Sequence, residues 1–166
     1  MRVFLPSTLP AVAQALQAGQ VGPGPLPGFA VTPALREAYA SGDTEELEYA
    51  ALTEAARASL RLLAADQAAP SRRVVLAAEI PAEQVHWDPD PDPAEPARVV
   101  VTAAVPVTWL DAAHVDAPDA DADVRSAVEA LPAADAGDED ARFTVDGAEG
   151  YELGWYASQE LSYLAE

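Results

Sequence analysis

The apolar and polar positions of this chain follow two rhythms, and the changes between them mark its elements. Val3-Phe4-Leu5 is a short apolar run stopped by Pro6, the pattern of a strand. Ser7 stands where it can cap a helix in which Val12, Leu16 and small alanines recur at helical spacing. Gly19 to Gly28 reads as a glycine and proline loop, and Phe29-Ala30-Val31 as a second strand. Thr32 before Pro33 then places a capping hydroxyl ahead of a proline at the first helical position, so a helix opens at PALREAYA.

The strongest periodic segment is DTEELEYAALTEAARASLRLLAA, residues 43–65. Asp43 with Glu46 three residues later has the spacing of a capping box, and the early glutamates suit the positive end of the helix dipole. Leu47, Ala51, Ala55, Ala58 and Leu62 share one face; Tyr49, Leu52, Ala56 and Leu63 share a second. Glu46, Thr53, Arg57 and Arg61 leave only a narrow polar strip, which predicts a long helix buried over most of its circumference.

Residues 72–80, RRVVLAAEI, form a strand whose continuous apolar middle predicts a central place in a sheet, with Pro81 ending it. Residues 98–104 and 112–115 supply two more strands. The intervening 81–97 segment, with its repeated Asp-Pro steps, predicts an extended, flexible acidic loop. Asp119, Asp121 or Asp123 can cap a helix running through Ala130, with Val124, Val128 and Leu131 turned inward, and 132–142 reads as a second acidic loop or a frayed turn. In YELGWY, residues 151–156, a helix would have to contain Gly147, Gly150 and Gly154 at roughly 1 kcal/mol each, so a strand is preferred. Alternation then sets Leu153 and Trp155 toward the core and Glu152 and Tyr156 the other way, with Ser158 opening a short last helix. The expectation is one α/β (α+β) domain, a mixed sheet of about five or six strands covered by helices.

Composition narrows the function. Of 166 residues, 28 are acidic and nine basic, a net charge of −19, and the imbalance falls almost wholly in the second half. Residues 1–78 hold seven acids and six arginines, whereas residues 79–166 hold 21 acids and three arginines. Such a balance opposes nucleic-acid backbone binding. The absence of cysteine excludes thiolate metal sites and thiol nucleophiles and suits a cytoplasmic location. The N-terminus lacks an export-type apolar run, and no later segment approaches the roughly eighteen apolar residues of a membrane span.

Motifs for chemistry are weak. His114 lies between Asp111 and Asp116, an arrangement that could orient an imidazole as a general base, although a solvated strand-end histidine is the simpler reading. Asp119, Asp121 and Asp123 imitate the start of a calcium loop, but Val124 replaces its glycine and Ala130 its closing glutamate, so no metal is expected. GQVGPGPLPG is too rich in proline to cradle phosphate, and no cofactor is expected. Ser7 and Thr8 follow the first strand, where α/β proteins often place functional groups. Arg72 and Arg73 could pair an anion or a partner's carboxylates, and Trp87, Trp109, Trp155 and Tyr156 could form an apolar recognition patch.

The segments MRVFLPST, AVTPALREAYASGDTEELEYAALTEAARASLRLLAAD, RRVVLAAEIP, AAHVDA and ELGWYASQEL together resemble a family of small acidic actinobacterial proteins of unknown function. The resemblance spans most of the chain and is most specific from Ala30 to Asp66. It implies a high-GC host and a cytoplasmic location, and it assigns no catalytic residue. The leading expectation is a non-enzymatic interaction protein whose acidic surface meets a basic protein. The alternatives are a small-molecule-binding protein or enzyme using Ser7, Thr8, Arg72 or His114, and a nucleic-acid mimic.

Overall fold

A computed structural model describes residues Met1–Glu166. In chain order the elements are β1 (Arg2–Ser7), α1 (Leu9–Ala18), β2 (Gln20–Val21), β3 (Leu26–Phe29), α2 (Pro33–Ala38), α3 (Thr44–Ala65), β4 (Val74–Glu79), β5 (Val85–His86) and β6 (Arg98–Val101). They continue with β7 (Val105–Pro106), β8 (Leu110–Val115), α4 (Asp121–Asp135), α5 (Glu139–Gly147), β9 (Gly154–Ala157) and α6 (Leu161–Leu164). The main sheet has seven strands in the order β5-β6-β3-β1-β4-β8-β9, and each pairing is antiparallel; β2 and β7 form a separate ribbon. The α+β class follows the expectation. The sheet has one strand more than anticipated, because β5 adds a two-residue edge too short for alternation to mark, and it is wholly antiparallel rather than mixed.

Each face of the sheet is covered differently. Val3, Leu5, Val74, Leu76, Val99, Val101, Ala113 and Val115 form one core, closed by α1 through Val12 and by α6 through Leu161. Phe4, Phe29, Val75, Ala77 and Ala112 form the other, closed by Leu35 of α2 and by Leu47, Ala51 and Ala55 of α3. A third cluster joins the C-terminal half of α3, through Leu60 and Leu63, to Val124, Ala127 and Leu131 of α4 and Val145 of α5. Arg61 fastens that junction with two 2.9 Å hydrogen bonds to Asp135.

Local signals placed several helix starts well. The Asp43 carboxylate accepts from the Glu46 N–H at 2.9 Å, and the Thr32 hydroxyl accepts from the Leu35 N–H at 3.1 Å. Three expectations are corrected. Thr8, not Ser7, caps α1, accepting from the Ala11 N–H at 3.2 Å. None of Asp119, Asp121 or Asp123 caps α4: a 3-10 turn at Pro118–Ala120 leads into the helix, and Asp121 and Asp123 lie in its first turn. On α3, Tyr49 and Leu62 are exposed, so its polar strip is wider than expected, while the polar Ser59 is buried.

The two acidic segments are also more ordered in secondary structure than expected. Residues 132–142 contain the end of α4 and the start of α5 rather than a loop. Pro132 removes one helical hydrogen bond, but burial of Leu131 and Ala134 carries α4 past it. Gly137, at φ 99°, then reverses the chain in a conformation that a side chain would strain. Within 81–97, β5 adds a short edge strand. The expected loop at Gly19–Gly28 likewise contains β2 and most of β3. Gly28 packs so closely that an added Cβ would stand 2.7 Å from Val3 Cγ1.

Candidate functional site

A cleft of about 290 Å³ opens where α3 passes the β8–β9 edge of the sheet. One wall is a single helical stripe, Tyr49, Leu52, Thr53 and Ala56, spaced as i, i+3, i+4 and i+7. The opposite wall is Trp155 of β9 with the Glu149–Leu153 segment before it. His114 lies in the floor because it stands directly opposite Trp155 in the β8–β9 register, which turns both side chains to one face. The Phe4 ring meets the imidazole edge-on, with centroids 6.3 Å apart.

The second wall is held by a buried ion pair. Arg73, at 2% exposure, donates from Nε to Asp116 Oδ2 and from Nη2 to Asp116 Oδ1, both at 2.8 Å. Its backbone N–H donates to Oδ2 as well, and Nη2 also reaches the Tyr151 carbonyl at 3.1 Å. Arg72 donates to the Asp116 carbonyl at 2.8 Å. The Tyr151 hydroxyl donates to Asp123 of α4, and that carboxylate raises the phenol's pKa. The wall is therefore tied to both the sheet and α4.

Electrostatically the cleft is acidic. Asp116 neutralises Arg73, and burial pushes the His114 imidazole below its usual pKa, with the Arg2 guanidinium acting in the same direction. The carboxylates expected to flank His114 serve elsewhere, Asp111 with Arg2 and Asp116 with Arg73. Glu149 and Glu152 remain on the rim.

A larger, more open depression of about 1010 Å³ adjoins this cleft and shares Tyr49, Thr53 and Glu149 with it. It adds Tyr39, Glu45, Glu46, Glu54 and Arg57. Arg57 is committed to Asp146 and, at 3.5 Å, to Glu149. Burial lifts the pKa of Glu54 to about 7; the Ala97 N–H, donating at 3.1 Å, opposes the rise and Glu95 adds to it. Because the folded chain holds this proton more tightly than the unfolded chain, Glu54 costs stability as pH climbs from about 4.5 to about 7, and the cost is complete above that. Glu54→Gln keeps an acceptor for Ala97 and removes the charge. Urea denaturation at pH 8 is expected to show a gain of about 1 kcal/mol after solvent screening, shrinking at pH 5.5. An equal gain at both pH values would contradict this origin.

The residues singled out from sequence divide clearly. Arg73, His114 and Trp155 meet at the cleft. Ser7 and Thr8 are buried at the end of β1, Arg72 is occupied by the Asp116 backbone, and Tyr156 lies on the opposite face beside Leu161. Trp155 is 64% exposed, so the inward and outward roles expected for Trp155 and Tyr156 are exchanged. α6 covers the Tyr156 face, whereas α3 stops short of Trp155. Tyr49, Leu52 and Tyr151 were not anticipated as site residues; the second apolar stripe of α3 was the available signal.

A family model matches residues 1–165. The chain belongs to DUF6912, a family of unknown function. No curated protein and no solved structure matches it. Membership in DUF6912 thus assigns no ligand to the cleft, whose residues must carry the functional reading. No helix of this DUF6912 chain is long and apolar enough to cross a membrane.

Proposed function

We propose that this chain is a non-enzymatic interaction protein that presents the acidic face around the two clefts to a basic protein. One observation supports this most: Glu45, Glu46, Glu149 and Glu152 border a continuous surface whose arginines, Arg57 and Arg73, are already paired with carboxylates. Exposed Tyr39, Tyr49 and Trp155 on the same surface supply the aromatic contacts that anchor interfaces. The net charge of −19 would steer such a partner toward it. The lack of cysteine suits a cytoplasmic setting.

The reading is tested by purifying the tagged protein from its host at low and moderate salt. A basic partner is expected at low salt and should dissociate as salt rises. Combined Glu45→Gln, Glu46→Gln and Glu149→Gln should weaken the pair by about tenfold, as loss of steering and rim charge predicts. Recovery of the protein alone at low salt would overturn the proposal.

A further inference from the structure

We infer that the smaller cleft is the anchor point of this face, seating one arginine side chain of the partner, its guanidinium against the Trp155 indole and the Glu152 carboxylate. The inference rests on the acidic-face reading and names what that face grips. Size is the first argument. Ligand sites run from about 300 to 1,000 Å³, and a cleft of about 290 Å³ stands at the small end of that range, with room for one long side chain.

Lining chemistry is the second. Leu52, Leu153 and Tyr49 offer an apolar channel for a methylene stem, while Trp155 is exposed enough to stack a cation. Charge complementarity is the third. Glu152 makes no ion pair within the chain, and Glu149 is engaged only by Arg57 at 3.5 Å. Arg73 cannot attract an anion, because Asp116 already accepts its guanidinium through both oxygens. An anionic occupant would face the unpaired Glu152 and the loosely paired Glu149, and a neutral one would leave Glu152 unused. Arginine suits the place better than lysine because its planar, weakly hydrated guanidinium stacks on an aromatic face while donating sideways to a carboxylate.

The test follows the three tryptophan indole N–H signals of ¹⁵N-labelled protein during titration with acetyl-Gly-Arg-Gly-amide. The comparison peptide carries citrulline, the neutral isostere of arginine. The arginine peptide is expected to shift the Trp155 indole saturably and leave Trp87 and Trp109 unmoved, with citrulline at least about tenfold weaker. Glu152→Gln should weaken binding about fivefold, and Trp155→Leu should abolish the saturable shifts at neighbouring amides. Both side chains are exposed, so neither variant should impair folding.

Absence of a saturable Trp155 shift up to about 20 mM peptide, or equal binding of citrulline, overturns the anchor. The two readings fail separately. A salt-sensitive partner retained equally by wild type and by Trp155→Leu removes the anchor and leaves the acidic face standing. Arginine binding at Trp155 with no partner recovered at low salt removes the docking role.

Discussion

Asp116→Ala is expected to lower the free energy of unfolding by about 3–5 kcal/mol, the range for breaking a buried ion pair by removing one partner. Asp116 is 0% exposed, and its two oxygens accept three hydrogen bonds from Arg73, one from the backbone and two from the guanidinium. The alanine variant strands that guanidinium in the interior with only the Tyr151 carbonyl as partner. Replacing both members, as Arg73→Met with Asp116→Leu, should recover most of the loss, because the desolvation of two charges then disappears together. Urea denaturation of the two variants measures both quantities. A loss below about 1 kcal/mol for Asp116→Ala would show that the pair is not the structural lock described above.

The same variant has a local consequence. Arg73 grips the carbonyl of Tyr151, so releasing it should loosen the Glu149–Leu153 wall before the sheet opens. Hydrogen exchange at Tyr151 through Leu153 should therefore accelerate more than exchange in β1. Uniform acceleration would instead indicate that only global stability changed.

Ser59→Ala should cost about 2–4 kcal/mol, the penalty for orphaning a buried donor and a buried acceptor at once. Ser59 is 0% exposed in the middle of α3, and its hydroxyl donates to the Ser7 carbonyl at 2.8 Å while accepting from the Val74 N–H at 3.1 Å. Ser7 and Val74 are the last facing pair of β1 and β4, so the hydroxyl bridges the end of the central ladder and fixes α3 above it. The alanine variant removes both bonds without adding bulk. Denaturant unfolding gives the cost, and amide exchange at Val74 should rise beyond its neighbours. A cost under about 0.5 kcal/mol would mean that water enters and satisfies both groups.

Neither interaction was visible in the chain. Ser59 falls outside both apolar stripes and the polar strip of α3, and its residue type does not reveal that it sits on the face that meets the sheet. Arg73 and Asp116 each had a charge and a strand-end position, but their partnership spans 43 residues and depends on β4 pairing with β8. The cleft was half legible: Trp155, His114 and Arg73 stood out by residue type, yet Tyr49 and Leu52 read as core because periodicity reports a face without saying what covers it. The same gap exchanged Trp155 and Tyr156, since alternation correctly separates them but does not say on which side a helix lies.

By itself the sequence determined the features set within one or two helical turns: the Asp43 cap and length of α3, the Thr32-Pro33 start of α2, the apolar β1 and β4, and the acidic bias of the second half. These follow from backbone hydrogen-bonding needs and side-chain spacing, which act locally. Tertiary structure alone decided the strand order, the helical course of residues 132–142, the buried Arg73–Asp116 lock and the exposure of Trp155. Each depends on which distant surfaces come together to exclude water, a choice made by the summed burial of the whole chain.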